Sequence, residues 1–169
     1  PDDVDAKRIA LKLAQTLYTK VGDIEGATAW FRHSLDIDER TTDALTALDQ
    51  IYQSQANWPQ LAEILQRERD QVLSDVELVT LSFRLAVLFE HQLSDVTSAT
   101  VAYRDVLDVD PGHRDSLAAL ESIYQNQGDW DSLYNIYDQR SSIVETEEER
   151  ATVYQQMASL AMNALDRPE

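Results

Sequence analysis

Three histidines and 31 acidic side chains are the groups in this 169-residue chain that could ligate a metal or move a proton. His33, His91 and His113 fall at no ligand spacing with one another or with paired carboxylates, and there is no cysteine, so no metal site and no cofactor are expected. The missing cysteines also remove disulfides and thiol nucleophiles. The acid pairs Asp36/Asp38 and Asp108/Asp110 and the run Glu147, Glu148, Glu149 could be offered as general acid/base groups. Each stands at an expected helix end without a neighbour that would shift its pKa, so solvated helix termini account for them, and His113 reads as a helix-start residue. No serine or threonine lies in a strand–turn–helix nucleophile setting and no glycine-rich phosphate loop occurs. The chain reads as non-catalytic.

The formal charge of −17 repels phosphate backbones and anionic lipid, and the 14 Lys and Arg are scattered, so neither nucleic acid nor membrane is an expected partner. No apolar run approaches the length of a membrane span, and no basic-then-apolar leader opens the sequence. A cysteine-free composition fits either side of a bacterial inner membrane, with the cytoplasm favoured. An apolar fraction of 43% with four Gly and four Pro favours an all-helical domain.

What must position any functional side chain is a duplication. Residues 43–58 return 72 positions later as 115–130, and from Phe31 and Tyr103 onward 15 of 34 aligned positions are identical, among them Arg32/Arg104, Tyr52/Tyr124 and Trp58/Trp130. The spacing predicts nine helices. The first carries Ile9, Leu13 and Leu17 and stops at Gly22; Asp23 caps a second with Ala27, Phe31 and Leu35. Thr41 or Thr42 caps a third over 43–55, and Asn57 caps a fourth with Pro59 in its first turn and a stripe of Leu61, Ile64, Leu65 and Val72. Ser74 with Glu77 and Thr146 with Glu149 read as capping boxes before the fifth and ninth helices. The fifth runs through Leu85 and Leu88 to a break at Ser94, the sixth ends at Asp110-Pro111-Gly112, the seventh and eighth cover 114–126 and 129–143, and the ninth covers 147–165. Breaks fall at Gly22, Ala56, Ser94 and Gly128, spaced 34, 38 and 34 residues apart.

A helix–turn–helix unit of 34 residues with a leucine near its start, a tyrosine four residues before a Gly-Asp turn, an aromatic after it and Asp-Pro at its end resembles the tetratricopeptide repeat in bacterial-type arrays. Leu117, Leu120, Tyr124 and Gly128-Asp129-Trp130 carry the resemblance best; Tyr18, Gly22-Asp23, Ala27 and Phe31, and then Ala99, Tyr103 and Asp110-Pro111, carry it elsewhere. It implies an all-α, right-handed α-solenoid of antiparallel helical hairpins, a single array over 1–169. Its repeats would cover 8–41, 42–79, 80–113 and 114–151, with a partial fifth unit or capping helix at 152–169. Paired alanines (Ala14/Ala27, Ala86/Ala99) let the first and third hairpins close tightly, whereas Asp49/Leu61 and Glu121/Leu133 hold the second and fourth wider. Trp30, Trp58 and Trp130, with Tyr18, Tyr52 and Tyr124, read as inter-helix packing.

In that family the first helix of each hairpin lines a concave groove, and its second, fifth, ninth and twelfth positions face the bound peptide or helix. Carried over, these are Ile9, Lys12, Thr16 and Thr19; Asp43, Thr46, Gln50 and Gln53; Leu81, Arg84, Leu88 and His91; Asp115, Ala118, Ser122 and Gln125; and Val153, Gln156, Leu160 and Asn163 on the ninth helix. The expected partner-binding set is Lys12, Thr16, Thr19, Thr46, Gln50, Gln53, Arg84, Leu88, His91, Ser122 and Gln125. The expected function is a protein-binding scaffold that takes a peptide or helix of another protein. Self-assembly through terminal helices, with Val153, Met157, Leu160 and Ala161 of the ninth helix open to solvent or to a second copy, is the alternative, as is an accessory segment of a larger enzyme. The family's grip on a C-terminal carboxylate is not expected, because Lys12 and Arg84 are the only basic groove positions and Thr16 stands where Asn is usual.

Overall fold

Helix-forming segments alternate with short connectors through the whole of the computed structural model, which describes residues 3–163. The described residues form nine α-helices and no strand: α1 (Asp3–Thr16), which continues into a π-helical turn (Leu17–Val21), α2 (Ile24–Ile37), α3 (Thr42–Ser54), α4 (Trp58–Arg69), α5 (Asp75–His91), α6 (Val96–Val109), α7 (Arg114–Gln127), α8 (Trp130–Ile143) and α9 (Glu147–Asn163). Leu165, the expected end of the ninth helix, lies outside the described residues, as does the side chain of Asn163.

The four expected breaks are the residues with left-handed backbone: Gly22 (φ 76°), Ala56 (52°), Ser94 (53°) and Gly128 (68°). Their hydrogen bonds repeat with the sequence period. At the first and third turns Asp23 N–H reaches Leu17 O (3.1 Å) and Asp95 N–H reaches Phe89 O (2.8 Å); at the second and fourth, Asn57 N–H reaches Tyr52 O (2.9 Å) and Asp129 N–H reaches Tyr124 O (3.0 Å). These bonds satisfy the last carbonyls of one helix while the chain reverses into the next. The 72-residue period is therefore a property of the turns as well as of the letters.

Most helix starts are capped as their sequences suggest. Carboxylates of Asp23, Asp95 and Asp129 accept from the N–H groups of Gly26 (2.9 Å), Ser98 (3.0 Å) and Ser132 (3.1 Å), and His113 Nδ1 accepts from Ser116 N–H (3.2 Å). Thr146 Oγ1 accepts from Glu149 N–H at 3.2 Å. Three expected caps differ: at the start of α5 Leu78 N–H reaches the Ser74 carbonyl and the Ser74 hydroxyl makes no cap bond. Thr41 turns its hydroxyl back to donate to Asp38 O (2.7 Å), and Asn57 makes no side-chain cap bond. Val72 is outside α4, which ends at Arg69.

The first compact unit runs to Leu81 and includes His91–Leu93. In it α2 packs on α1 and α3, and α3 on α4. Ala14 and Ala27, both fully buried, let α1 and α2 lie together over a longer stretch than α3 and α4. The amphipathic spacing of α3 puts Ala44, Leu45, Leu48, Ile51 and Tyr52 inside. Arg32 of α2 donates to Tyr52 Oη (3.2 Å) and pairs with Glu63 of α4, tying one hairpin to the next. Gln71 closes the α2–α3 connector by donating to Glu39 O (2.7 Å).

The second unit comprises Ser82–Glu90 and the chain from Ser94. Here α7 packs between α6 and α8, and α9 packs on α8. The tie recurs, with Arg104 Nε donating to Tyr124 Oη at 2.8 Å, and Gln139 donates to Pro111 O, the position equivalent to Glu39. Two expectations are corrected in this unit. Val153, Met157 and Leu160 of α9 are 1%, 8% and 9% exposed, because the stripe expected to be open packs back on α8; Tyr154 and Met162 are its exposed apolar residues instead. Trp130 is 36% exposed, its indole edge lying over Gly128, so it is a partly solvated residue rather than an enclosed one. Trp30 in the first unit is equally exposed and meets His33 edge-on at 5.5 Å.

Candidate partner-binding surface

Packing fixes which side chains remain for a partner. On α3 the apolar face is consumed by the core, and Asp43, Thr46, Gln50 and Gln53 form an exposed row at the opposite spacing. Gln53 is itself held by other groups in the structure. On α7 the same logic buries Ser116, Leu117, Leu120, Ile123 and Tyr124 and exposes Asp115, Ala118, Ser122 and Gln125. Gln125 also donates across its hairpin to Tyr137 Oη (3.2 Å). In each row the single charge is an aspartate in the first helical turn, where the helix dipole favours an anion; the remaining groups are neutral amides, hydroxyls and a methyl.

The α1 positions are less uniform. Ile9 and Lys12 are exposed, Thr16 is half-buried with its hydroxyl donating to Lys12 O (2.7 Å), and Thr19 sits in the π turn donating to Gln15 O (2.7 Å). Because a π turn holds an extra residue, Thr19 leaves the 3.6-residue register of Lys12 and Thr16. On α5, which the two units share, Arg84 is half-buried and His91 exposed, both with other groups holding them. Leu88 is 6% exposed, so its side chain belongs to the core with Leu85 and Ala86 and not to a partner face. A leucine where the other copies hold Thr16, Gln50 and Ser122 was the signal for this.

Several polar groups that the sequence did not link are brought together in the second unit. Glu121 accepts from Arg140 (2.6 Å) and from Tyr137 Oη (3.1 Å), so the acid inside the α7–α8 hairpin is ion-paired and hydrogen-bonded there. Tyr103, 2% exposed, donates to Glu90 at 2.7 Å and lies beside Phe83, which in turn packs on His113. Burial and the Glu90 carboxylate push the Tyr103 phenol up, so it stays protonated and serves as a donor. The Ser98 hydroxyl and N–H hold the Asp95 carboxyl below its usual range, the same pairing with Ser132 lowers Asp129, and the Lys7 ammonium does so for Asp38. These groups stabilise helix ends and hairpin contacts. Among the described residues no group of three or more His, Asp or Glu is arranged to hold a metal ion, and no helix is long and apolar enough to cross a membrane.

Residues 116–151, covering most of α7 and all of α8, match the tetratricopeptide repeat family model. Among solved structures, a thermophilic TPR protein of Thermus thermophilus aligns over 96% of this chain and 86% of its own, at 18% identity and a TM-score of 0.38. No curated protein sequence matches this chain.

Proposed function

We propose, for a chain that carries a tetratricopeptide repeat at residues 116–151, a role as a non-catalytic scaffold that takes a segment of another protein on the exposed faces of its first helices. Tetratricopeptide repeats generally mediate protein–protein interaction, and the observation that supports the finer reading is the pair of rows on α3 and α7, each uncharged apart from one first-turn aspartate. In a chain of net charge −17, Thr46 and Gln50 on one helix and Ser122 and Gln125 on the other present hydrogen-bonding groups with almost no charge to desolvate. Such a surface suits the amides of an extended backbone or the polar flank of a helix. Lys12, Thr16, Thr19, Gln53, Arg84 and His91 extend the set within their own units.

The test is affinity capture with wild type and with a Gln50→Arg/Ser122→Arg variant, followed by calorimetric titration of the captured protein against both. Loss of binding with stability kept within about 0.5 kcal/mol per exposed site supports the reading. Equal affinity for the two proteins refutes it.

A further inference from the structure

The junction after the second helical hairpin in each 72-residue copy forms a groove. In the first unit it has a volume of about 660 Å³ and lies between the start of α3, the end of α4, the connector and the first turns of α5. In the second unit a groove of about 530 Å³ is lined by the equivalent positions of α7, α8 and α9. Their floors match: Leu45, Val72 and Leu81 in one, Leu117, Val144 and Val153 in the other. A lining shared at the duplication period marks a built feature of the repeat.

The two copies differ at the lip. In the second, Glu145 and Glu148 are solvated acids, and Arg140 on the wall is paired with Glu121. In the first, the equivalent positions are Leu73, which lines the groove, and Val76, one residue before the lining Glu77; they are 101% and 76% exposed. Leu73, held in water beside an apolar floor, leaves unrealised burial that the sister copy avoids, and the exposed Val76 follows it on the first turn of α5. Around the first groove stand Glu68, Asp70 and Glu77, with Asp70 paired to Arg69 at 3.8 Å, Glu68 also held by other groups, and Arg40 the one cation among the lining residues.

We propose that the first groove docks a partner segment whose aliphatic anchors are flanked by Lys or Arg: Leu73 and Val76 close over the anchors, and Glu68, Asp70 and Glu77 meet the cations. A second copy of this chain, at net charge −17, has the wrong sign to be the occupant. This surface is separate from the α3 and α7 rows and does not depend on them.

The probe is a synthetic amphipathic peptide with leucines at i, i+4 and i+7 flanked by lysines, with a control that has glutamates in place of the lysines. Each is titrated into the full ¹⁵N-labelled chain and into Leu73→Glu/Val76→Glu, which installs the residues of the sister copy and so preserves the fold; melting curves check this. The lysine peptide is expected to shift amides within 68–81, to bind the double variant roughly tenfold more weakly or worse, and the glutamate peptide is expected not to bind. The substitutions add negative charge, so attraction by the general acidic field predicts the opposite sign. Unchanged or tighter binding to the variant, or shifts spread equally over 140–153, overturns the proposal. So does a concentration-dependent mass for the peptide-free wild type in light scattering that the variant lacks, which would make a second copy the occupant.

Discussion

The second and third turns place an alanine and a serine where the first and fourth place glycine, and this makes their strain measurable. A residue with a Cβ in the left-handed region costs about 1–2 kcal/mol relative to right-handed backbone, because Cβ crowds the following carbonyl. Glycine at the same place removes that cost but returns about 0.4–1 kcal/mol of freedom to the unfolded chain. Ala56→Gly is therefore expected to stabilise by about 0.5–1 kcal/mol. The reciprocal change is unusually clean. A Cβ at Gly128 would lie 3.7 Å from the nearest Trp130 ring atom, an ordinary contact, so Gly128→Ala measures the same balance of backbone strain and unfolded-chain freedom without an added clash, and should destabilise by about the same amount. Both turns carry the same i to i−5 hydrogen bond, so little else changes. Urea unfolding followed by circular dichroism, fitted with a common slope, reads the shift in midpoint. If Ala56→Gly lowers the midpoint while Gly128→Ala also lowers it, the left-handed alanine is not strained and the equivalence of the two turns is refuted.

Three further outcomes follow from the packing. Ser82 is fully buried with no hydrogen-bond partner for its hydroxyl, and its equivalent in the first copy is Ala10; Ser82→Ala should raise stability by about 1 kcal/mol in thermal melts, and a loss would show that the hydroxyl is satisfied. Trp130→Ala should cost about 2 kcal/mol, less than the roughly 3–5 kcal/mol of an enclosed indole, since the residue is already 36% exposed. Asp95 has a lowered carboxyl pKa in the folded state, so its ionic contribution is complete above the unfolded value near pH 4 and disappears as pH falls through the lowered one; the stability gap between wild type and Asp95→Asn should close over that acid range, and a constant gap in urea midpoints would show no linkage.

What could be seen in the sequence was whatever depends on neighbours along the chain. Gly22 and Gly128 announce left-handed turns, and the period extends that reading to Ala56 and Ser94, which no local rule would mark. Asp23, Asp95, Asp129 and His113 cap because the residue they serve is three positions away. Orientation against distant elements was harder. The apolar stripe of α9 was legible as a stripe, but only packing decides that it faces α8. Position in the repeat points Leu88 outward, but the cost of leaving a leucine in water turns it into the core. The Glu90–Tyr103 pair spans one helix and a turn, and its members replace Tyr18 and Phe31 of the first copy, so the comparison of copies pointed away from it.

Those divergences show where the copies have been given different work. Where both share a structural need they keep the same chemistry: Arg32 with Tyr52 and Arg104 with Tyr124 join hairpins, and Glu39 and Pro111 offer the same carbonyl to a glutamine from further along the chain. Where they differ inside, compensation is local, as when Glu121 gains Arg140 and Tyr137 while the equivalent Asp49 faces a copy in which those places are Glu68 and Leu65, a carboxylate and a hydrocarbon that could not neutralise it in the same way. The Leu73 and Val76 substitutions have no such compensation, since both side chains remain in water. A difference that stabilises nothing within its own unit, beside a groove both copies possess, is what the proposed docking of an external segment would account for.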